Sequence, residues 1–214
     1  MNDEKKQFYK MVFALVLPMA LQNLINVGVT SADVIMLGRV GETALSASSL
    51  AGQVYFILNL VYFGLTSGAA VITAQYWGKG DTRTIEKVLA ISLRFALLAG
   101  AVFAVAVWVF PEPIMGLRTN DPEIIREGAS YLRIVGCSYV ISGITMVYLN
   151  ILRSVEKVVI ATVVYAASLA TNVVLNSIFI FGLLGWPAMG VAGAALGTCG
   201  ARVVELAIVI WYAK

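Results

Sequence analysis

The sequence predicts an all-α membrane protein, a six-transmembrane-helix bundle, and two observations carry that prediction. Of the 214 residues, 60% are hydrophobic and only 13% are charged, with a mean hydropathy of +0.87, whereas soluble domains carry about 25% charged residues. The hydrophobic residues also fall into stretches long enough to cross the roughly 30 Å hydrocarbon core as helices. The predicted spans cover residues 11–37, 48–76, 88–110, 130–152, 158–184 and 194–212. They occupy most of the chain, so we treat it as a single transmembrane unit, 1–214.

The first span follows a polar start, MNDEKKQFYK. It is too long for the apolar region of a signal peptide, and no small-residue cleavage site precedes it, so we expect it to stay in the mature protein. Pro18 lies early in this span. A proline there removes a backbone hydrogen bond and predicts a bend in the helix.

A polar stripe follows on the same helix. Asn26 and Asp33 are seven residues apart with Thr30 between them, so the three side chains share one helix face. Asp33 is the only acidic residue of the span 11–37. A carboxylate in hydrocarbon costs several kcal/mol unless a cavity, a partner or a proton compensates it, so Asp33 is a candidate functional residue. The alternative is a carboxylate that caps a helix end or pairs with Arg39.

The second and fourth spans carry several tyrosines with a methionine nearby. These residues are Tyr55, Tyr62, Tyr139, Tyr148 and Met146. Aromatic faces attract organic cations, and methionine adapts to apolar ligands of different shape, so these side chains are candidates for contact with an organic cation. The alternative is that they pack within the bundle or face lipid.

The longest polar connection separates the third and fourth spans. Asp121 can cap a helix there, Pro122 suits the first helical position, and Glu123 complements the helix dipole. We therefore predict a short amphipathic helix that lies on the external surface before the fourth span.

The fifth span carries a second polar face, formed by Asn172 and Asn176 at a spacing of four residues. At 1.5 Å per residue, Asp33 lies about 33 Å from Met11 and Asn176 about 27 Å from Val158. The two spans run in the same direction, so the two faces are expected to meet at similar depth. A carboxylate among amide and hydroxyl oxygens can bind Na⁺ or hold a proton. For the asparagines, the alternative is hydrogen bonding that joins helices.

The sixth span combines small residues with charges. Gly193 and Gly197 form a small-xxx-small pair that allows two helices to approach closely. Arg202 and Glu205, three residues apart, are predicted to form an intramembrane ion pair, with a direct role in an ion path as the alternative. A further charge, Arg94, lies inside the third span.

The distribution of basic residues predicts the orientation. If the N-terminus is cytoplasmic, that side holds Lys5, Lys6, Lys10, Lys79, Arg83, Lys87, Arg153, Lys157 and Lys214. The opposite side then holds only Arg39, Arg118, Arg126 and Arg133. By the positive-inside rule, both termini are expected in the cytoplasm.

Several classes of function are disfavoured. The chain has no histidine, and its two cysteines lie inside predicted spans, so imidazole chemistry, a disulfide framework and a thiolate metal site are not expected. No glycine-rich loop has the context of a phosphate-binding loop. The positive charges flank spans and do not form one stripe, so no nucleic-acid partner is expected. We expect neither an enzyme nor a cofactor, and no metal beyond a possible Na⁺ at Asp33.

Four segments resemble the N-terminal half of multidrug and toxic compound extrusion (MATE) transporters. They are SADVIMLGRVG at 31–41, DPEIIREGASYLRI, ILRSVEK at 151–157, and TNVVLNSIFIFG followed by PAMGVAGAALGT. Their order and spacing match the family over nearly the whole chain. The resemblance implies one lobe of a MATE-type twelve-helix transporter in the plasma (inner) membrane, which alternates between two states and exports amphipathic or cationic drugs in exchange for H⁺ or Na⁺.

The resemblance also implies roles for individual residues. Asp33 would be the cation-coupling carboxylate and Pro18 the bend in its helix. The cavity of the lobe would be lined by Asn26, Thr30, Tyr131, Asn172, Asn176 and Thr198. Some family members carry an acid where this chain has Asn176, so the choice between H⁺ and Na⁺ stays open.

The expected partners are the lipid bilayer, drug or organic-cation substrates, and a second lobe. The chain stops directly after the sixth span, so we expect either a partial chain whose C-terminal lobe is missing or two copies that pair. Two other functions remain open. A flippase for lipid-linked substrates would need a cationic cavity, for which the spans offer Arg94 and Arg202; a non-transporting assembly subunit is the other.

Overall fold

The computed structural model describes residues 3–214, with side chains from Lys5 onward except that of Met11. Within this range the chain forms α1 (Asp3–Val40), α2 (Glu42–Gly78), α3 (Thr82–Val109), α4 (Pro111–Gly116), α5 (Pro122–Ser154), α6 (Val159–Phe181) and α7 (Gly190–Ala213). All of these helices except α4 are long and apolar enough to cross a membrane. The predicted fold class, a six-helix transmembrane bundle, is confirmed.

The connection after the third span differs from the prediction. Asp121 does cap a helix, accepting hydrogen bonds from the backbone of Glu123 and Ile124, and Pro122 is its first residue. That helix does not end before the fourth span, however, because α5 continues unbroken to Ser154. Leu132 is fully buried in the core of the bundle, so its packing favours an unbroken helix from Pro122 to Ser154. The predicted separate surface helix is therefore wrong, and the short helix of this region is α4.

Most helices extend past the apolar stretches from which they were predicted, because polar flanking residues continue the helical backbone beyond the hydrophobic segment. The fifth span is the clearest exception. It was predicted to reach residue 184, but α6 ends at Phe181. Gly182 follows in the left-handed conformation (φ 71°), and its N–H bonds to the carbonyl of Ile178. Glycine adopts this conformation at little cost and commonly ends helices this way.

The helix α5 is the centre of the bundle and packs on α2, α3 and α7. Tyr62 of α2 is fully buried there, and its hydroxyl donates to the carbonyl of Tyr139, 2.9 Å away. A Cβ atom added at Gly100 or Gly143 would lie 2.6 Å or 2.8 Å from that hydroxyl. The two glycines therefore allow α3 and α5 to close around Tyr62.

The helix α1 lies at the edge of the bundle and packs chiefly on α6, which in turn packs on α7. The α6–α7 contact uses the glycine pair of the sixth span. A Cβ atom at Gly193 would lie 2.5 Å from the carbonyl oxygen of Phe179, and one at Gly197 would overlap the side chain of Asn176. The close approach of α7 thus holds one face of α6 in place next to α1.

Candidate functional site

The two polar faces predicted on the first and fifth spans meet between α1 and α6. The Nδ2 atom of Asn176 donates to Oδ1 of Asp33, 2.5 Å away, and to Oδ1 of Asn172, 3.2 Å away. Both asparagines are fully buried, whereas Asp33 is half-buried. One amide therefore joins the carboxylate of α1 to the second asparagine of α6.

The positions of these residues along their helices explain the meeting. Asp33 lies two turns before the end of α1 at Val40, and Asn176 lies five residues before the end of α6 at Phe181. The helices run in the same direction, so the side chains reach the same depth, as the rise per residue predicts. The pairing of Asp33 with Arg39, the alternative considered above, is not among the ion pairs of the described residues.

A cavity of 160 Å³ opens beside this pair of helices. Six of the predicted site residues line it, namely Thr30, Asp33, Tyr131, Asn172, Thr198 and Arg202. Asn176 does not line this cavity, but it donates hydrogen bonds to two residues that do, Asp33 and Asn172. The carboxylate is therefore next to open space and is not enclosed by packed side chains.

Asp33 also lines a larger cavity, of 530 Å³, between α1 and α2. Its walls include the aromatic ring of Phe56 and the polar side chains of Ser48, Gln53 and Asn59. A third cavity, of 400 Å³, contains Asn26 together with Arg202 and Glu205. Asn26 thus lies in a different cavity from Asp33, and Thr30 lines all three.

The charges of the sixth span form an ion pair, as their spacing predicts. One guanidinium nitrogen of Arg202 donates to both carboxylate oxygens of Glu205, at 2.7 Å and 2.9 Å. Glu205 is only 1% exposed, and the guanidinium carbon of Arg202 lies 5.9 Å from the centre of the Tyr55 ring. Arg202 lines both the 160 Å³ and the 400 Å³ cavities, so it stands between Asp33 and Glu205.

Two buried polar atoms near the carboxylate have no hydrogen-bond partner among the described residues. One is the amide oxygen Oδ1 of Asn176, and the other is the hydroxyl of Tyr139. Buried polar groups are nearly always paired, so each such atom requires an explanation. The oxygens of Asp33, Asn172 and Asn176 together are hard ligands of the kind that Na⁺ accepts.

The tyrosines differ in position. Tyr55 lines all three cavities, and Tyr139 lines the smallest. Tyr62 is enclosed in the core and Tyr148 packs against a hydrophobic cluster around Leu149, so these two stabilise the bundle. Met146 lines the 400 Å³ cavity. The ring of Tyr55 is therefore the aromatic surface that lies against all of these spaces.

Sequence reasoning missed a polar contact near Pro18. Gln22 is 1% exposed and donates to the carbonyl of Val158 and to the Thr162 hydroxyl, both at 3.0 Å. Arg153 donates to its side-chain oxygen at 2.7 Å, and Thr162 donates to the carbonyl of Pro18 at 3.4 Å. Gln22 lies four residues before Asn26 and extends the polar stripe, which is the signal that could have identified it. The helix α1 passes through Pro18 without interruption.

The chain is similar to known proteins. A family model described as MatE matches residues 18–178. A protein named "Probable multidrug resistance protein NorM" from Rhizobium meliloti (strain 1021) is 29% identical over 191 residues, which are 89% of this chain and 41% of that protein. The chain thus spans less than half the length of this relative.

Solved structures show the same fold. A MOP superfamily transporter from Pyrococcus furiosus Vc1 (DSM3638), described as having a binding pocket of reverse polarity that suggests a different function, superposes with a TM-score of 0.86 at 23% identity, over 95% of this chain and 44% of that one. The outward-facing conformation of a multidrug resistance MATE family transporter of the same superfamily gives a TM-score of 0.82 at 24% identity, with the same coverage of both chains.

Proposed function

The chain belongs to the MatE family, and from that premise we propose that it is the N-terminal lobe of a cation-coupled antiporter that exports amphipathic or cationic drugs. Its fold is that of one six-helix lobe of a twelve-helix transporter. In this proposal a coupling ion, H⁺ or Na⁺, enters the lobe from outside, and its binding changes the lobe's affinity for the exported compound.

The observation that carries the proposal is the placement of Asp33. Its carboxylate accepts a hydrogen bond from the side-chain amide of Asn176. The same residue lines cavities of 160 Å³ and 530 Å³. A carboxylate that only joined helices would need no open space. A carboxylate that exchanges a cation does need it, since the ion must reach the oxygen and leave again. The amide of Asn176 holds it in place while the bound cation changes.

Coupling requires that ion and drug favour different states of the lobe or compete for one cavity. The 530 Å³ cavity allows the ion and the drug to compete, because Asp33 and the rings of Tyr55 and Phe56 line it together. Aromatic faces attract organic cations, and the carboxylate adds a negative charge once its own ion has left. Binding of an organic cation and binding of the coupling ion at Asp33 are then mutually unfavourable.

The second lobe is the proposed partner. Large apolar side chains of α1 and α2 are exposed, and two of them, Phe56 and Phe63, line cavities of the site. In this proposal a C-terminal lobe, or a second copy of the chain, covers these side chains and closes the cleft in which the drug binds.

The proposed setting is the plasma (inner) membrane with both termini in the cytoplasm. The basic residues support that orientation, since nine lie at the end of the bundle that carries the termini and four lie at the other, by the residues named above. This direction places the Asp33 end of α1 outside. Ion entry from the outside and drug release to the outside then use the same end of the lobe.

The flippase and the assembly subunit receive less support. A pyrophosphate headgroup needs free positive charge, but Arg202 is paired with Glu205 and Arg153 donates to Gln22. Arg94 lies on the outer surface of α3 and lines none of the cavities around Asp33. A subunit without transport activity would have no need for a carboxylate at the mouth of a cavity.

The test is drug resistance in a cell that lacks its own exporters, with the protein expressed as its gene encodes it. We expect Asp33→Asn to abolish resistance while the protein remains in the membrane. Glu86→Gln, which removes one exposed carboxylate from the surface of α3, is the matched control and should retain it. Full resistance with Asp33→Asn would contradict the proposal.

A further inference from the structure

A row of basic side chains runs along the outer face of α3. Arg83, Lys87 and Arg94 are all exposed. At 3.6 residues per turn, the three fall within an arc of about 40° on the helix surface, and the first and last are about 16 Å apart along the axis. They form one narrow stripe, called the basic stripe below, which starts at the first turn of α3 and reaches into the apolar part of the helix.

The basic stripe faces away from the rest of the bundle. The buried residues of α3 include Ile85, Ser92 and Ala96, and these lie on the opposite side of the helix. The helix has one acidic residue, Glu86, which is also exposed. Around the helix axis, Glu86 is about 60° or more from each member of the stripe. The stripe therefore carries positive charge without an acidic residue inside it.

Arg94 is the member whose position most needs an explanation. The exposed residues around and beyond it on the same face are apolar and include Leu98, Ala101 and Val105. A guanidinium among lipid-facing apolar side chains is costly unless its long side chain reaches the polar interface or an anion meets it. The neighbouring charges of Lys87 and Arg83 lie in the direction of the nearer end of α3.

None of these three charges takes part in an ion pair within the part of the chain that the structure describes. The two ion pairs there join Arg133 to Glu112 and Arg202 to Glu205. The cavities around Asp33 are lined from α1, α2, α5, α6 and α7, and no α3 residue lines them. The basic stripe is therefore separate from the proposed transport site, and an inference about it does not depend on transport.

We propose that the basic stripe binds an anionic phospholipid from the membrane leaflet at the Gly78–Thr82 end of the bundle. The phosphate and the negative headgroup lie against Arg83, Lys87 and Arg94, and one acyl chain lies along Leu98, Ala101 and Val105. Charge and polarity then match along the whole face, with cations beside the headgroup and apolar side chains beside the hydrocarbon.

The pattern favours a lipid over a protein or a free phosphate. A free phosphate matches the charges but leaves the apolar continuation of the stripe without a partner. An acidic protein segment would have to enter the hydrocarbon region to reach Arg94. A zwitterionic lipid offers a phosphate, but its own ammonium group opposes the attraction that three cations provide for an anionic lipid.

The experiment measures bound lipid by native mass spectrometry of the protein, after titration with phosphatidylglycerol or phosphatidylcholine. We expect the unaltered protein to retain phosphatidylglycerol in preference. The triple variant Arg83→Gln, Lys87→Gln, Arg94→Gln should bind phosphatidylglycerol at least about tenfold more weakly, given three lost contacts of this kind. Its binding of phosphatidylcholine should be unchanged.

The matched control removes the same charge from exposed positions at the other end of the bundle, by Arg39→Gln, Arg118→Gln and Arg126→Gln. It should retain tight binding of phosphatidylglycerol. Equal loss in both triple variants would show general charge attraction and overturn the proposal. Full displacement of the lipid by glycerol phosphate, which has no acyl chains, would show a phosphate site and overturn it as well.

Discussion

Asp33 of α1 accepts a hydrogen bond from the side-chain amide of Asn176 of α6, and the two residues are 143 positions apart in the sequence. The same amide also donates to Asn172, one turn earlier on α6. This contact fixes the direction of the carboxylate at the wall of its cavities and ties the edge helix α1 to the rest of the bundle. A residue proposed to exchange a cation therefore also holds the bundle together.

The contact predicts an energetic coupling between the two residues. A hydrogen bond to a charged group contributes about 1.5–3 kcal/mol. In a double-mutant cycle of Asp33→Ala and Asn176→Ala, the sum of the two single losses of unfolding free energy should differ from the loss in the double variant by an amount of this size. Denaturant unfolding of the purified protein in detergent measures it. Asn120→Ala, at an exposed loop position, is the control partner and should be additive with Asp33→Ala.

The hydrogen bonds of Gln22, near Pro18, predict that this residue stabilises the bundle. Gln22→Ala removes the acceptor of Arg153 and the donor to Val158 and Thr162. Leaving buried polar groups unpaired costs about 1–3 kcal/mol, so the midpoint of thermal unfolding should fall. Gln75→Ala, which truncates an exposed glutamine of α2, should leave it unchanged. Equal midpoints for the two variants would refute a structural role for Gln22.

Two glycines of the helices should respond to alanine in opposite ways. At Gly143 a Cβ atom would lie 2.8 Å from the Tyr62 hydroxyl and 2.9 Å from the adjacent ring carbon, so Gly143→Ala should destabilise the protein by about 1–3 kcal/mol. At Gly64 nothing lies within 4 Å of such an atom. There alanine favours the helix by up to about 1 kcal/mol. Thermal unfolding of the two variants in the same detergent gives the sign of each change.

The start of α3 should make stability depend on pH. Asp81 accepts hydrogen bonds from the backbone and hydroxyl of Thr84, and these hold the pKa of its carboxyl below the usual value of 3.8. A pKa that is lower in the folded state gives stability that is present above the unfolded value and is lost as the pH falls through the folded value. This contribution should therefore disappear below about pH 4, near the usual pKa of an aspartate.

Asp81→Asn provides the control for this pH dependence. Asparagine also caps helices well, but it does not titrate. The unfolding midpoint of the variant should therefore fall less steeply than that of the unaltered protein when the pH is lowered from 6 to 3, roughly the range in which an aspartate titrates. Parallel curves for the two proteins would show that the cap carries no pH dependence.

The sequence predicted the fold class because hydropathy reports directly which segments can cross a membrane. The depths of Asp33 and Asn176 could be predicted for a similar reason, since a helix advances by a fixed distance per residue. Residues that share a helix, such as Arg202 and Glu205, could be paired from their spacing alone.

Contacts between distant helices were harder to predict. The environment of Gln22 depends on Arg153 of α5 and Thr162 of α6, which approach it only when α1 packs in the bundle. The tyrosines show the same limit, because Tyr55 and Tyr62 are alike in the sequence, yet Tyr55 lines cavities while Tyr62 is enclosed between Gly100 and Gly143. The continuity of α5 was missed because a good N-cap shows where a helix begins but not how far it extends.

The central claim is that Asp33 exchanges the coupling cation. The most direct measurement places the protein, as its gene encodes it, in liposomes containing a pH-sensitive or sodium-sensitive dye and then adds an organic-cation substrate. With the unaltered protein we predict a substrate-dependent flux of H⁺ or Na⁺, and with Asp33→Asn we predict none. A substrate-dependent ion flux that persists undiminished in the Asp33→Asn protein would contradict the account.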